Sequence, residues 1–74
     1  MRVRVLFFSQ LRERFGAQQD ADVTDGASVG DVVRRYSLSD LPLRFAVNEE
    51  FVEPDTVLQN EDTLAFLMPV SGGA

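Results

Sequence analysis

The stretch Ser28 to Tyr36 admits one local structure and demands one kind of neighbour. Ser28-Val29-Gly30-Asp31 resembles a capping box, with Asp in place of Glu at the third helical position. Val29, Val32, Val33 and Tyr36 then recur at i, i+3, i+4 and i+7, which is one helical face. Arg34 and Arg35 fall in the last turn, where the helix dipole favours cations. This stripe has to be buried against something else. The other apolar segments alternate with period two, so the spacing predicts a helix laid across a sheet.

Met1 to Phe8 is predicted to be the first strand. Val3, Val5 and Phe7 share its core face, while Arg2, Arg4, Leu6 and Phe8 share the other. A first strand that turns apolar on both faces is expected to be central, and either covered there or offering an aromatic to a partner. Ser9 is expected to cap a short helix, Gln10 to Phe15, which Gly16 ends in the left-handed conformation. Gln18 to Thr24 reads as an edge strand hairpinned to the first, and Asp25-Gly26 as a turn.

After the main helix, Ser37 to Pro42 reads as a connection. Leu43, Phe45 and Val47 alternate with Arg44, Ala46 and Asn48 in a third strand. Asn48-Glu49 turns it, because Asn tolerates positive φ, and Glu50-Phe51-Val52 returns. Pro54-Asp55 breaks that strand, and Thr56 to Gln59 reads as irregular or a brief strand. Asn60-Glu61-Asp62 is a polar turn, and Thr63 to Met68 is the last strand. Leu64 and Phe66 lie on one of its faces, Ala65 and Leu67 on the other. The expected class is therefore α+β, a mixed sheet of four to five strands with one main helix across it. The first and last strands are the most apolar, which makes them central neighbours. Paired in parallel, they define a β-grasp. The expected organisation is one domain over residues 1–68 and a flexible Gly-Gly tail over residues 69–74.

Composition removes whole classes of chemistry. The chain has no Cys and no His, which excludes disulfides, thiolate or imidazole metal sites, and Cys-His or Ser-His catalysis. A net charge of −5 argues against nucleic acid and favours partners with basic docking surfaces. No signal peptide or membrane-length apolar run is visible, so a soluble cytoplasmic protein without membrane association is expected. All seven basic residues are Arg, so no side-chain amine is present to accept an acyl group.

The last residues, Met68-Pro69-Val70-Ser71-Gly72-Gly73-Ala74, read differently from the rest. Gly72 and Gly73 have no side chains and cannot pack a core. They can be threaded down a channel too narrow for a Cβ atom, and Pro69 stiffens the base of such an arm. The carboxylate at its end is a group that can be activated without a nucleophilic side chain. The tail reads as a covalent carrier, or as an ordinary frayed terminus.

Three stretches together resemble a known family. Val5-Leu6-Phe7-Phe8-Ser9-Gln10-Leu11-Arg12-Glu13, Ala46-Val47-Asn48-Glu49-Glu50-Phe51-Val52 and Asp62 through Gly73 are similar to the N-terminal signature, central hairpin, and closing strand and tail of the ubiquitin-like sulfur-carrier family that includes the small subunit of molybdopterin synthase. The resemblance implies a ubiquitin-like β-grasp and a role in molybdenum cofactor biosynthesis. It implies a carrier that is not an enzyme on its own and binds no cofactor itself. A ubiquitin-activating-like adenylating enzyme uses ATP to activate the carboxylate of Gly73, and a sulfur donor converts it to a thiocarboxylate. The tail then delivers sulfur to a pterin precursor in the active site of the large catalytic subunit. By position, Phe8, Arg12, Phe51 and Leu67 match the family's partner-facing residues, and Pro69, Val70, Ser71 and Gly72 match the inserted arm. Three positions depart from the pattern. Glu61 stands where the family commonly has Gly, so the turn is expected to use Asn60 or to avoid positive φ altogether. Met68-Pro69 replaces a common Pro-Pro. Ala74 follows the Gly-Gly: either it is removed before Gly73 is activated, as a tail-trimming metalloprotease does for some related carriers, or the partners tolerate the extra residue, or the chain is a paralogue without carrier activity. Sulfur carriage for cysteine or thiazole synthesis, a ubiquitin-like protein modifier and a binding module with an inert tail are the alternatives.

Overall fold

In a computed structural model, which describes residues 1–68, Ser28 and Asp31 close the capping box reciprocally. The Asp31 N–H donates to Ser28 Oγ at 3.3 Å, and the Ser28 N–H donates to Asp31 Oδ2 at 2.9 Å. Two further N–H groups at this helix start are satisfied by a loop: Val29 donates to the Thr56 carbonyl at 2.9 Å and Gly30 to that of Pro54 at 2.8 Å. Gly30 permits the approach, since a Cβ there would lie 3.3 Å from the Pro54 oxygen.

The elements run β1 (Arg2–Phe7), α1 (Gln10–Phe15), β2 (Gln18–Asp22), α2 (Val29–Arg35), β3 (Arg44–Val47), β4 (Glu50–Val52) and β5 (Thr63–Leu67). The sheet has five strands in the order β2-β1-β5-β3-β4. β1 and β5 are parallel, and every other adjacent pair is antiparallel. With α2 laid across this sheet, the architecture is the expected ubiquitin-like β-grasp.

The alternation along each strand separates the faces as expected. Val3, Val5, Phe7, Leu64 and Phe66 are buried, and Val29, Val32 and Val33 of α2 join them in one core. Phe7 lies at its aromatic centre, 4.9 Å from the Phe15 ring, 5.4 Å from Tyr36 and 5.8 Å from Phe66. Burial pushes the half-buried Tyr36 hydroxyl above its usual range, with Arg35 pulling the other way.

Several local expectations need correction. Ser9 makes no side-chain capping bond to α1. Its φ of 54° and ψ of −132° instead put it at the first central position of a type II′-like turn, closed by Leu11 N–H donating to the Phe8 carbonyl at 3.2 Å. Gly16 has the expected positive φ of 87°, but its ψ of 178° is extended rather than left-handed helical. The polar turn before β5 neither uses Asn60 nor avoids positive φ: Glu61 itself adopts φ 69°. The Glu61 N–H donates to the Arg2 carbonyl at 2.7 Å, and Asn60 Oδ1 accepts from the Arg2 N–H at 2.9 Å, which fixes the turn against β1.

Two core residues fall in segments read as irregular. Leu38 is buried because α2 ends in a Schellman motif: Leu38 N–H donates to the Val33 carbonyl and Ser37 N–H to that of Arg34, both at 3.0 Å. Ser37, at φ 58°, holds the position that glycine usually takes. Leu58 is buried because its N–H pairs with the Ala27 carbonyl at 2.8 Å, beside an isolated bridge between Ser28 and Val57.

Candidate functional site

The side of the sheet away from α2 is where the sequence-expected partner residues meet. Leu6 is paired with Ala65, Ala65 with Ala46, and Ala46 with Phe51. These four side chains therefore form one row across β1, β5, β3 and β4. The two alanines make a low floor between Leu6 and Phe51. The last β1–β5 pair is Phe7 with Phe66, and the same register carried one residue further would set Phe8 beside Leu67. Phe51 is 72% exposed and Phe8 42% exposed, while Leu6, Ala65 and Leu67 are half-buried. Ala46 is buried, so the exposed apolar area of this face is concentrated at Phe51 and at Phe8.

The turn at Ser9 shapes one end of this surface. It takes the chain out of the ladder immediately after Phe8 and starts α1, on which Arg12 is exposed. Phe8, Leu67 and Phe51 thus share one face, and Arg12 stands on the segment that follows Phe8. Gly73, Pro69, Val70, Ser71, Gly72 and Ala74 lie outside the described residues. β5 brings the chain to Met68 at the Phe8–Leu67 end of the face.

Sequence reading did not single out Leu6, Ala46, Ala65 and Arg44 as members of this surface. The signal was present in the parity of β3 and β5, where Arg44, Ala46 and Ala65 alternate with core residues. Arg44 is paired with Leu67 and is exposed. Arg2, Arg4 and Arg44 project from the outer face by parity, and Asp22 and Asp20 stand on that same face opposite the first two.

Among the described residues no group of three or more His, Cys, Asp or Glu is placed to hold a metal ion, and no polar or charged side chain is buried. No described helix is long and apolar enough to cross a membrane.

The ThiS family model matches residues 5–73. The molybdopterin synthase sulfur carrier subunit of Escherichia coli (strain K12) is 33% identical over 81 aligned positions, covering 96% of this chain and 99% of that protein. Small archaeal modifier protein 1 of Haloferax volcanii superimposes with a TM-score of 0.79 at 22% identity, covering 93% of this chain and 98% of that one. A chain in the complex of subunits 1 and 2 of molybdopterin-converting factor from Helicobacter pylori 26695 gives 0.70 at 20% identity, covering 99% of this chain and 100% of that one. At such identities the two structures speak for the fold alone.

Proposed function

As the chain belongs to the ThiS family, we propose that it is the sulfur-carrier subunit of a molybdopterin synthase. The observation that carries this reading is the likeness to the Escherichia coli carrier subunit across 96% of the chain, with the family match running through Gly73.

The chemistry follows from what the tail contains. Once Ala74 is removed by a trimming metalloprotease, the Gly73 carboxylate attacks the α-phosphate of ATP bound to an adenylating enzyme. Pyrophosphate leaves and an acyl-adenylate forms. The carboxylate is a poor electrophile, and the mixed anhydride is a good one. Sulfide displaces AMP and leaves a thiocarboxylate. Gly72 and Gly73 pass a narrow channel, Val70 and Ser71 span the distance to it, and Pro69 limits the directions of the arm's base. The large subunit then takes the sulfur into the pterin precursor. The small subunit provides no acid or base. It raises the effective concentration of one sulfur atom in another protein's pocket.

The outer face supports this reading as the docking surface. Phe8, Phe51 and Leu67 are the apolar anchors, Leu6, Ala46 and Ala65 the surface between them, and Arg12 a charged neighbour. Intact mass tests the proposal, with the protein expressed in its own host, where the trimming metalloprotease is present, and then incubated with ATP, an adenylating enzyme and a sulfide source. Loss of one alanine followed by exchange of one oxygen for sulfur is the expected result. A mass that keeps Ala74 and every oxygen under all conditions refutes it, and isopeptide adducts in lysate would point to a protein modifier instead.

A further inference from the structure

β3 and β4 remain paired only as far as Phe45 and Val52. Beyond them the two strands part, and the corner opens as a cleft of about 370 Å³. Leu43, Phe51 and Pro54 give it apolar walls, and Arg44 and Glu53 are its charged groups. Continuing the ladder by one residue would set Glu53 opposite Arg44. The strands have diverged by then, and no ion pair joins the two.

Arg44 therefore stands exposed beside an apolar cleft, with no hydrogen bond or ion pair from its guanidinium among the described residues. Four of the other six arginines are engaged locally, while Arg4 and Arg12 are as free as Arg44 among the described residues. Arg2 pairs with Asp22, Arg34 with Asp31, Arg35 bonds the Asp22 carbonyl, and Arg14 lies over the Phe15 ring. The cleft is continuous with the docking face, because Phe51 belongs to both and Arg44 is paired with Leu67. A planar guanidinium next to apolar walls is suited to a carboxylate taken bidentately.

Resting on the carrier-subunit reading above, we propose that this corner cleft receives a carboxylate side chain of the large subunit, held by Arg44 beside the Phe51 ring. Glu53 is the opposing charge of the cleft. It repels the incoming carboxylate and so limits how tightly the seat is filled.

The two charges make the test two-sided. Affinity of the full chain for the large subunit is measured by calorimetric titration at low and high salt. Arg44→Gln weakens binding about tenfold or more at low salt. Arg44→Lys recovers only part of the loss, since an ammonium cannot grip a carboxylate as a fork. Glu53→Gln tightens binding a few-fold, and high salt narrows all three differences. Both residues are exposed, so the variants keep the wild-type thermal midpoint. Arg44→Gln binding as well as a tightly bound wild type overturns this inference alone. Glu53→Gln weakening the complex also overturns it, because the cleft would then be holding a cation. A wild-type chain that does not bind the large subunit overturns both this inference and the reading beneath it.

Discussion

Asn48 donates from Nδ2 to Asp62 Oδ1 at 2.9 Å, which ties the β3–β4 turn to the residue just before β5. Asn48 also accepts the Thr63 N–H on Oδ1 at 3.1 Å, and Asp62 accepts the Gln59 N–H on Oδ2 at 2.8 Å. One asparagine thus serves as a positive-φ turn residue, at φ 51°, and as a clasp between two chain segments. Asn48→Ala is expected to lower stability by about 1–2 kcal/mol, from lost hydrogen bonds and left-handed strain together. Asn48→Gly relieves the strain and should recover part of that. Urea denaturation of the three proteins measures the difference, and equal losses in both variants would show that only the clasp matters.

Ser37 and Glu61 sit in left-handed conformations without being glycine or asparagine, at φ 58° and 69°. Such a residue costs about 1–2 kcal/mol relative to its preferred region. Replacement by glycine removes that strain and returns roughly 0.5–1 kcal/mol of it to the freer unfolded chain. Ser37→Gly and Glu61→Gly should therefore each raise stability by up to about 1 kcal/mol, or by several degrees in a domain of this size. A lower melting temperature in either would mean that the replaced side chain makes a compensating interaction.

Phe51 and Phe66 have the same side chain on opposite faces of one sheet. Phe66 is fully buried and Phe51 is 72% exposed. Phe66→Ala is expected to cost about 3–5 kcal/mol. A chain of this length is stable by about 4–11 kcal/mol, so that loss consumes much of its reserve. Phe51→Ala should change stability by no more than about 0.5 kcal/mol. It should nonetheless weaken binding to the large subunit by about 1–2 kcal/mol or more. Thermal melts and binding titrations on the two variants separate the core from the docking face.

Asp31 carries the one acid-sensitive contact with a clear direction. The Ser28 backbone N–H, helped by Arg34, holds its carboxyl below the usual 3.8. A carboxyl whose value is lowered on folding contributes fully above its unfolded value, and that contribution is lost as pH falls through the folded one. Wild type should therefore exceed Asp31→Asn in stability at neutral pH, and the gap should close on strong acidification. Urea midpoints across that range measure it, and a gap that does not change with pH would remove the charge from the account.

Period and parity carried most of the fold. Two-residue alternation separated Phe7 and Phe66 from Phe8 and Leu67, and the i, i+3, i+4, i+7 stripe with its capping box placed α2. Leu38 and Leu58 escaped because neither belongs to a periodic run. Leu38 is buried by a helix terminus whose usual marker, glycine, is replaced by Ser37. Leu58 is buried by an irregular segment zipped to the start of α2. Arg44 escaped for another reason. Its importance lies in what β3 faces across the sheet, and only the register with Leu67 and the parting of β3 from β4 reveal that. Alternation alone set Phe8 and Leu67 off the core-facing sets, whereas the partner-facing role expected of them, of Phe51 and of Arg12 came from family resemblance.

The strand synthesised last among these elements, β5, is inserted between β1 and β3. Before it arrives, Leu6 and Ala46 belong to two hairpins with no strand between them. A chain that ends before β5 lacks the strand that joins β1 to β3, so its outer face is in two pieces. On the proposed reading, a partner that docks on this face would not find it complete on a truncated chain.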